Sequence, residues 1–313
     1  GAALRRCAVS FAGRSHGVGL LAFAPGLMLA GLALPIAAGL AGTLAPAVSG
    51  QGFATLGQWP GLPRALSLSV GTGLIATLAA LAITVLMIAA LHDRPGFVAF
   101  RRVLSPLLAL PHAAAALGLA FLVAPSGWLV RLISPWATGW DNPPDLLILN
   151  DPMGIALTLG LVAKEVPFLM LMALAILPQT DMARRGQIAA SLGYGRVMGF
   201  VLSTLPALYK GLRLPVFAVL AYGMTNVDMA MILGPTLPPS LAVQITDWMG
   251  APSLQHLSTA AAGALVQLAL VAATLALWLG AERVLAPLIP TLAAAGLRAP
   301  ALDAPMAALA GAM

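Results

Sequence analysis

Charge is scarce in this chain. Asp, Glu, Lys and Arg make up 8% of its 313 residues, while 60% are hydrophobic. Soluble domains carry roughly 25% charged residues, so a water-facing globule is excluded and an integral membrane protein is implied. Cysteine is almost absent too. The single Cys7 excludes an internal disulfide and any thiolate metal cluster, which leaves helix packing to hold the fold. No H-x-x-x-H or H-E-x-x-H arrangement occurs among the four histidines, so neither an enzyme nor a metal site has positive support. No G-x-x-x-x-G-K-[ST] phosphate loop occurs either, so the chain does not hold ATP in that way. The net charge of +6 does not point to nucleic acid, because the basic residues are scattered over connections rather than gathered in a groove.

Apolar runs are abundant. Crossing a hydrocarbon core of ~30 Å takes ~20 apolar residues in a helix. Six stretches suffice, near 17–43, 66–91, 103–124, 153–177, 212–233 and 259–285. The expected fold is therefore an all-α membrane protein with six transmembrane helices. Residues 1–16 precede the six-helix domain of 17–285, and 286–313, broken by Pro300 and Pro305, read as a tail or linker. The first apolar run is too long for a signal-peptide core of about 7–15 residues, so it is expected to remain as a helix. With 25 prolines and 32 glycines, the spans should be kinked and closely packed.

The distribution of Lys and Arg sets the expected orientation. Arg5, Arg6, Arg14, Arg94, Arg101, Arg102, Arg184, Arg185, Arg196, Lys210, Arg213, Arg283 and Arg298 fall on one side; only Arg64 and Arg131 fall on the other. Both termini are therefore expected in the cytoplasm. Trp59, Trp128, Trp136, Trp140 and Trp248 fall in or beside the outer connections, where aromatic rings sit at headgroup level.

Between the fourth and fifth spans lies a polar, glycine-punctuated stretch, QIAASLGYGRVMGFVLSTLP, at 187–206. The composition of 182–192 favours a helix, Gly193 a left-handed terminator and Gly195 a sharp change of direction. Val197, Phe200, Val201 and Leu205 recur at three- and four-residue intervals, an apolar stripe on a second helix that Pro206 should end. Small side chains at Ala189, Ala190 and Ser191 let another protein approach the backbone closely. The stretch reads as a cytoplasmic docking elbow. An ordinary amphipathic connector is the bland alternative.

This elbow resembles the EAA loop of ABC importer permeases: Glu-Ala-Ala, three residues, Gly, nine residues, Ile, any residue, Leu-Pro. Gln187, Ile188 and Ala189 take the opening positions, Gly193 the glycine, and Leu205 and Pro206 the end. Gln187 replaces the acid, Ile188 the first Ala and Ser203 the Ile, so any contact from the acidic position would be a neutral hydrogen bond, weaker than a charge-assisted one. KEVPF at 164–168 and DMAMILGPTLPPSLAV at 228–243 are similar to the thiamine, iron(III) and polyamine import group, and to a thiamine-type subfamily with two such halves in one chain. The resemblance implies a non-catalytic permease subunit of the bacterial inner membrane. It implies ATPase subunits that carry the ATP and Mg, a second permease half and a periplasmic solute-binding protein. Gln187, Ala189, Ala190, Ser191, Gly193, Gly195, Leu205 and Pro206 would dock the ATPase.

Ionisable groups inside spans are costly, each ~2.5–3.5 kcal/mol at the bilayer centre on insertion scales, and tend to face a cavity or the bundle interior. Lys164 and Glu165 fall near mid-membrane, and adjacent positions on a helix point to different partners. Thr225, Asn226 and Asp228 make a polar cluster nearer the outside. All five are candidates for a translocation path, with interhelical packing as the alternative. His112 has no second histidine at ligand spacing and reads as a satisfied core residue. An ion-coupled secondary transporter and a structural subunit of a larger complex are the rival functions. The first would use the buried charges as a relay and would not need the elbow.

Overall fold

The computed structural model describes residues 23–296 except Asp93; the expectations for 1–22, including Cys7 and three of the arginines, and for 297–313, including Arg298, fall outside the described residues. Among those described the chain is all-helical, with fourteen α-helices. They are α1 (Ala24–Leu44), α2 (Gln51–Gln58), α3 (Leu62–Leu91), α4 (Pro95–Ala109), α5 (His112–Val123), α6 (Trp128–Ile133), α7 (Ile155–Ile176), α8 (Met182–Ser191), α9 (Arg196–Ser203), α10 (Leu205–Thr225), α11 (Asp228–Leu233), α12 (Leu241–Gly250), α13 (Leu254–Leu285) and α14 (Leu288–Ala294). Five helical stretches are long and apolar enough to cross a membrane: Ala24–Val48, Leu62–Leu91, His112–Ile133, Ile155–Thr180 and Gln255–Ala294. The pair Arg196–Ser203 and Leu205–Thr225, bent by 67°, makes a sixth if it is counted as one. The protein is thus a multi-pass membrane protein.

Two breaks shift the helices away from the expected spans. The run expected at 103–124 is cut between α4 and α5, because Pro111 has no N–H to give the Leu107 carbonyl four residues back. The candidate span begins instead at His112 and runs through α6, into what the sequence suggested was a loop. The run expected at 212–233 starts earlier, at Leu205, and stops at Thr225 before α11 begins. By contrast, Pro167 sits inside α7 without breaking it. The start of α7 is fixed by Asp151, whose carboxylate accepts the N–H groups of Ile155 and Ala156, both at 2.9 Å. These N–H groups have no partner within their own helix.

Helices α3, α7 and α10 pack on one another as the centre of the bundle, with α4, α5 and α11 against this trio and α12 against α3. Two apolar clusters fill it. One, near the elbow, gathers Ile88, Leu91, Phe97, Leu104, Met170, Phe200 and Leu212; the other, toward the opposite end, gathers Ala76, Ala116, Leu161, Met229 and Leu233. Between α3 and α10 the backbones touch. A β-carbon on Gly223 would lie 3.1 Å from the Gly73 Cα, and one on Gly73 would lie 2.9 Å from the Met224 nitrogen. Small residues at such crossings give helices their closest approach, which is what association in lipid rests on.

Candidate functional site

The elbow is two short helices set at the end of the bundle where α3 stops. Asp181 opens α8 from a positive φ of 49°, and Gly193 closes it at φ 79°. The left-handed residue lets the chain turn back so that Gly193 N–H reaches the Ala190 carbonyl at 2.9 Å and Tyr194 N–H reaches Ala189 at 3.1 Å. Helix α9 then packs on α8 at Gly199, where a β-carbon would stand 3.0 Å from the Ala189 methyl. Ala189 is consequently buried inside the elbow, while Gln187, Ala190, Ser191 and Gly193 stay exposed and Gly195, Leu205 and Pro206 are half-buried. Ile188 and Leu192 are 53% and 57% exposed, two large apolar side chains on a helix otherwise edged with arginine.

Several contacts hold the elbow stiff. Val197, Met198 and Phe200 are buried in the apolar cluster near the elbow or beside it, which anchors α9 to the bundle. Arg185 ties the entry of the elbow to its exit, donating to the Thr180 carbonyl at 2.8 Å and to the Ser203 carbonyl at 2.9 Å. Arg196 donates to the Ala89 carbonyl near the end of α3 at 2.9 Å. These two arginines entered the sequence analysis only as topology markers. A cavity of about 480 Å³ lies between the elbow helices and the end of α3, walled by His92, Gly186, Ala190, Tyr194 and Arg196 among others. The expectation that Pro206 ends the second elbow helix is corrected. Helix α9 stops at Ser203, and Pro206 lies in the first turn of α10, where a missing N–H costs nothing.

The five polar candidates in the spans divide into three situations. Lys164 is buried, and its ammonium donates to the carbonyls of Leu107 and Leu110 at 3.0 and 2.7 Å. It therefore caps the interrupted end of α4, supplying the donor that Pro111 lacks. Glu165 is 4% exposed, and among the described residues neither carboxylate oxygen has a hydrogen-bond partner. It lies beside the Gly73–Gly223 crossing. Lys164 and Glu165 therefore do not pair with each other, nor does Lys164 reach Asp228.

Asn226 is buried and caps α11: its Oδ1 accepts the Met229 N–H at 2.8 Å, and its amide donates to the Tyr222 hydroxyl. Thr225 and Asp228, at the same break, are exposed. Asp228 lies beyond Thr225, where the candidate span ends, rather than inside a span as the run expected at 212–233 implies. His112 lies against the Tyr222 ring, with centroids 4.7 Å apart and the planes tilted by 49°. Among the described residues no group of three or more His, Cys, Asp or Glu is placed to hold a metal ion.

A helical multi-pass protein with an exposed, braced elbow at one end is the class that this geometry defines. No family model matches the chain. Over 230 residues, 74% of its length, it is 33% identical to the inner membrane ABC transporter permease protein YnjC of Escherichia coli (strain K12). The chain is therefore a relative of an ABC transporter permease. The matched stretch is 43% of that protein, so the chain spans less than half the length of this curated relative.

Proposed function

We propose that the chain is a permease subunit of an ATP-driven ABC importer in a bacterial inner membrane, with both termini in the cytoplasm. In this reading it passes a small polar or cationic solute, of the thiamine-like, polyamine or metal-complex kind, inward from a periplasmic binding protein. The observation that carries the reading is the elbow: an exposed helix, Met182–Ser191, stopped by a left-handed glycine and braced by Arg185. ATPase subunits grip that helix, with Ile188 and Leu192 as its apolar contacts and Gln187, Ala190, Ser191 and Gly193 around them. Their closure on ATP and Mg displaces the elbow as a rigid lever and rocks the spans between inward-open and outward-open states, a domain motion about an interface. Pairing with a second permease half, fused or separate, is supported by the length of the relative, of which the matched stretch is 43%.

An ion-coupled secondary carrier is the second reading, and the unpartnered Glu165 carboxylate is the observation that favours it. Affinity purification of the full chain from its native membrane separates the two. Retention of an ATPase, lost on Gly193→Val, supports the importer. Ion-driven uptake by the chain alone in vesicles supports the carrier.

A further inference from the structure

The last long helix meets the foot of α10 around one carboxylate, and near the other end of α10 the Gln267 amide of α13 donates to the Met224 carbonyl at 3.0 Å. Tyr209 of α10 donates its hydroxyl hydrogen to Oε1 of Glu282 on α13, and the Trp278 indole N–H donates to the same hydroxyl oxygen at 2.8 Å. The other oxygen, Oε2, stands 2.7 Å from the guanidinium of Arg213, one turn further along α10. Arg213 also lies 5.6 Å from the centre of the Phe217 ring. A second attachment lies at the elbow turn itself, where the Tyr194 hydroxyl donates to the Ala293 carbonyl of α14 at 3.1 Å.

An isolated surface ion pair contributes little. Arg213 is itself 43% exposed, so solvent screens the pair; what sets it apart is that Glu282, 17% exposed, receives bonds from two residues spaced one turn apart on the same helix. Two bonds to one carboxylate fix the rotation of the foot of α10 as well as its distance from α13, which the Gln267–Met224 bond near the far end of α10 does not do for the foot. Charge-assisted bonds of this kind are also about twice as strong as neutral ones. The need for such a brace is local. Helix α9 meets α10 at 67° across a single residue, Thr204, so a push on the elbow could be absorbed by bending there.

We infer that Glu282, with Tyr209 and Arg213, is a transmission clamp: it makes α10 and α13 one rigid unit, so that displacement of the elbow swings both helices. Glu282 is in this sense a positioning residue, acting through α10. The inference rests on the elbow being the ATPase dock.

The test uses the full chain purified with its partner subunits and reconstituted in nanodiscs. A reporter cysteine, Met231→Cys, is placed in a Cys7→Ser background and labelled with a membrane-impermeant maleimide, with and without Mg-ATP plus vanadate. Met231 is exposed on α11, just beyond α10. With the clamp intact, nucleotide should change the labelling rate by about fivefold or more, within the usual span of coupling between sites. Glu282→Gln and the gentler Tyr209→Phe should each cut that change to less than about twofold while retaining the ATPase and normal membrane content. Reversing the pair, Arg213→Glu with Glu282→Arg, should recover part of it. A full nucleotide response in Glu282→Gln overturns the clamp. Loss of ATPase retention in that variant also overturns it, since Glu282 would then only support the dock. If the unmodified chain retains no ATPase, the docking reading itself fails and takes the clamp with it.

Discussion

The chain interrupts a helix and restarts it both at the elbow and between α10 and α11, and the two breaks are built in opposite ways. At the elbow the turn is made by a left-handed glycine, and the side chains around it, from Gln187 to Gly193, mostly point outward. Between α10 and α11 the turn is made by Asn226, buried, with its amide spent on Met229 and Tyr222. Every helix end leaves backbone groups without partners. Where they are satisfied by the chain's own turn and the neighbouring side chains are exposed among the described residues, the break can receive another protein; where a buried side chain consumes them, the break is internal architecture. Thr225 and Asp228 alone remain exposed at the second break, on the side turned away from the core.

The sharpest way to break this comparison is Gly193→Val. At φ 79° a β-branched residue costs about 1–3 kcal/mol and would reshape the turn. Uptake should be abolished and ATPase retention should fall by roughly tenfold or more, with membrane insertion intact; normal retention would remove the elbow from its proposed role. Lys164→Ala comes next. It removes both bonds to the Leu107 and Leu110 carbonyls, which lie on half-exposed residues, at about 1–3 kcal/mol in all, so the thermal midpoint in detergent should drop by a few degrees. A native midpoint with lost uptake would instead return Lys164 to the translocation path. Asn226→Ala should cost about 1 kcal/mol through the lost cap, seen as faster hydrogen exchange over α11. Asp228→Ala should move stability least, within about 0.5 kcal/mol, because the side chain is exposed. Uptake should fall instead, and an unchanged uptake rate would remove Asp228 from the translocation path.

The elbow was legible because its signals are local. Gly193, Gly195 and the stripe of Val197 and Phe200 lie within a few residues of what they determine. The long apolar runs were legible for the same reason, since length and hydropathy need no partner. What escaped was decided at a distance. Pro206 reads as a terminator in the sequence, yet the helix that it might end has already stopped at Ser203. Lys164 reads as a mid-membrane charge on a translocation path or in helix packing, and its acceptors are the carbonyls of Leu107 and Leu110, where Pro111 interrupts the chain between two other helices. The clamp was hidden in the same way. Arg213 entered as a topology marker, and nothing near Glu282 in the sequence announces Tyr209.

The contact of Gly73 with Gly223 carries one more consequence. With no methyl between them, the two main chains form a bearing: they can roll or slide on each other, but cannot be pressed nearer. A single added carbon on either side would prop the pair apart like a shim, and every movement routed through α10 would begin from a different resting position.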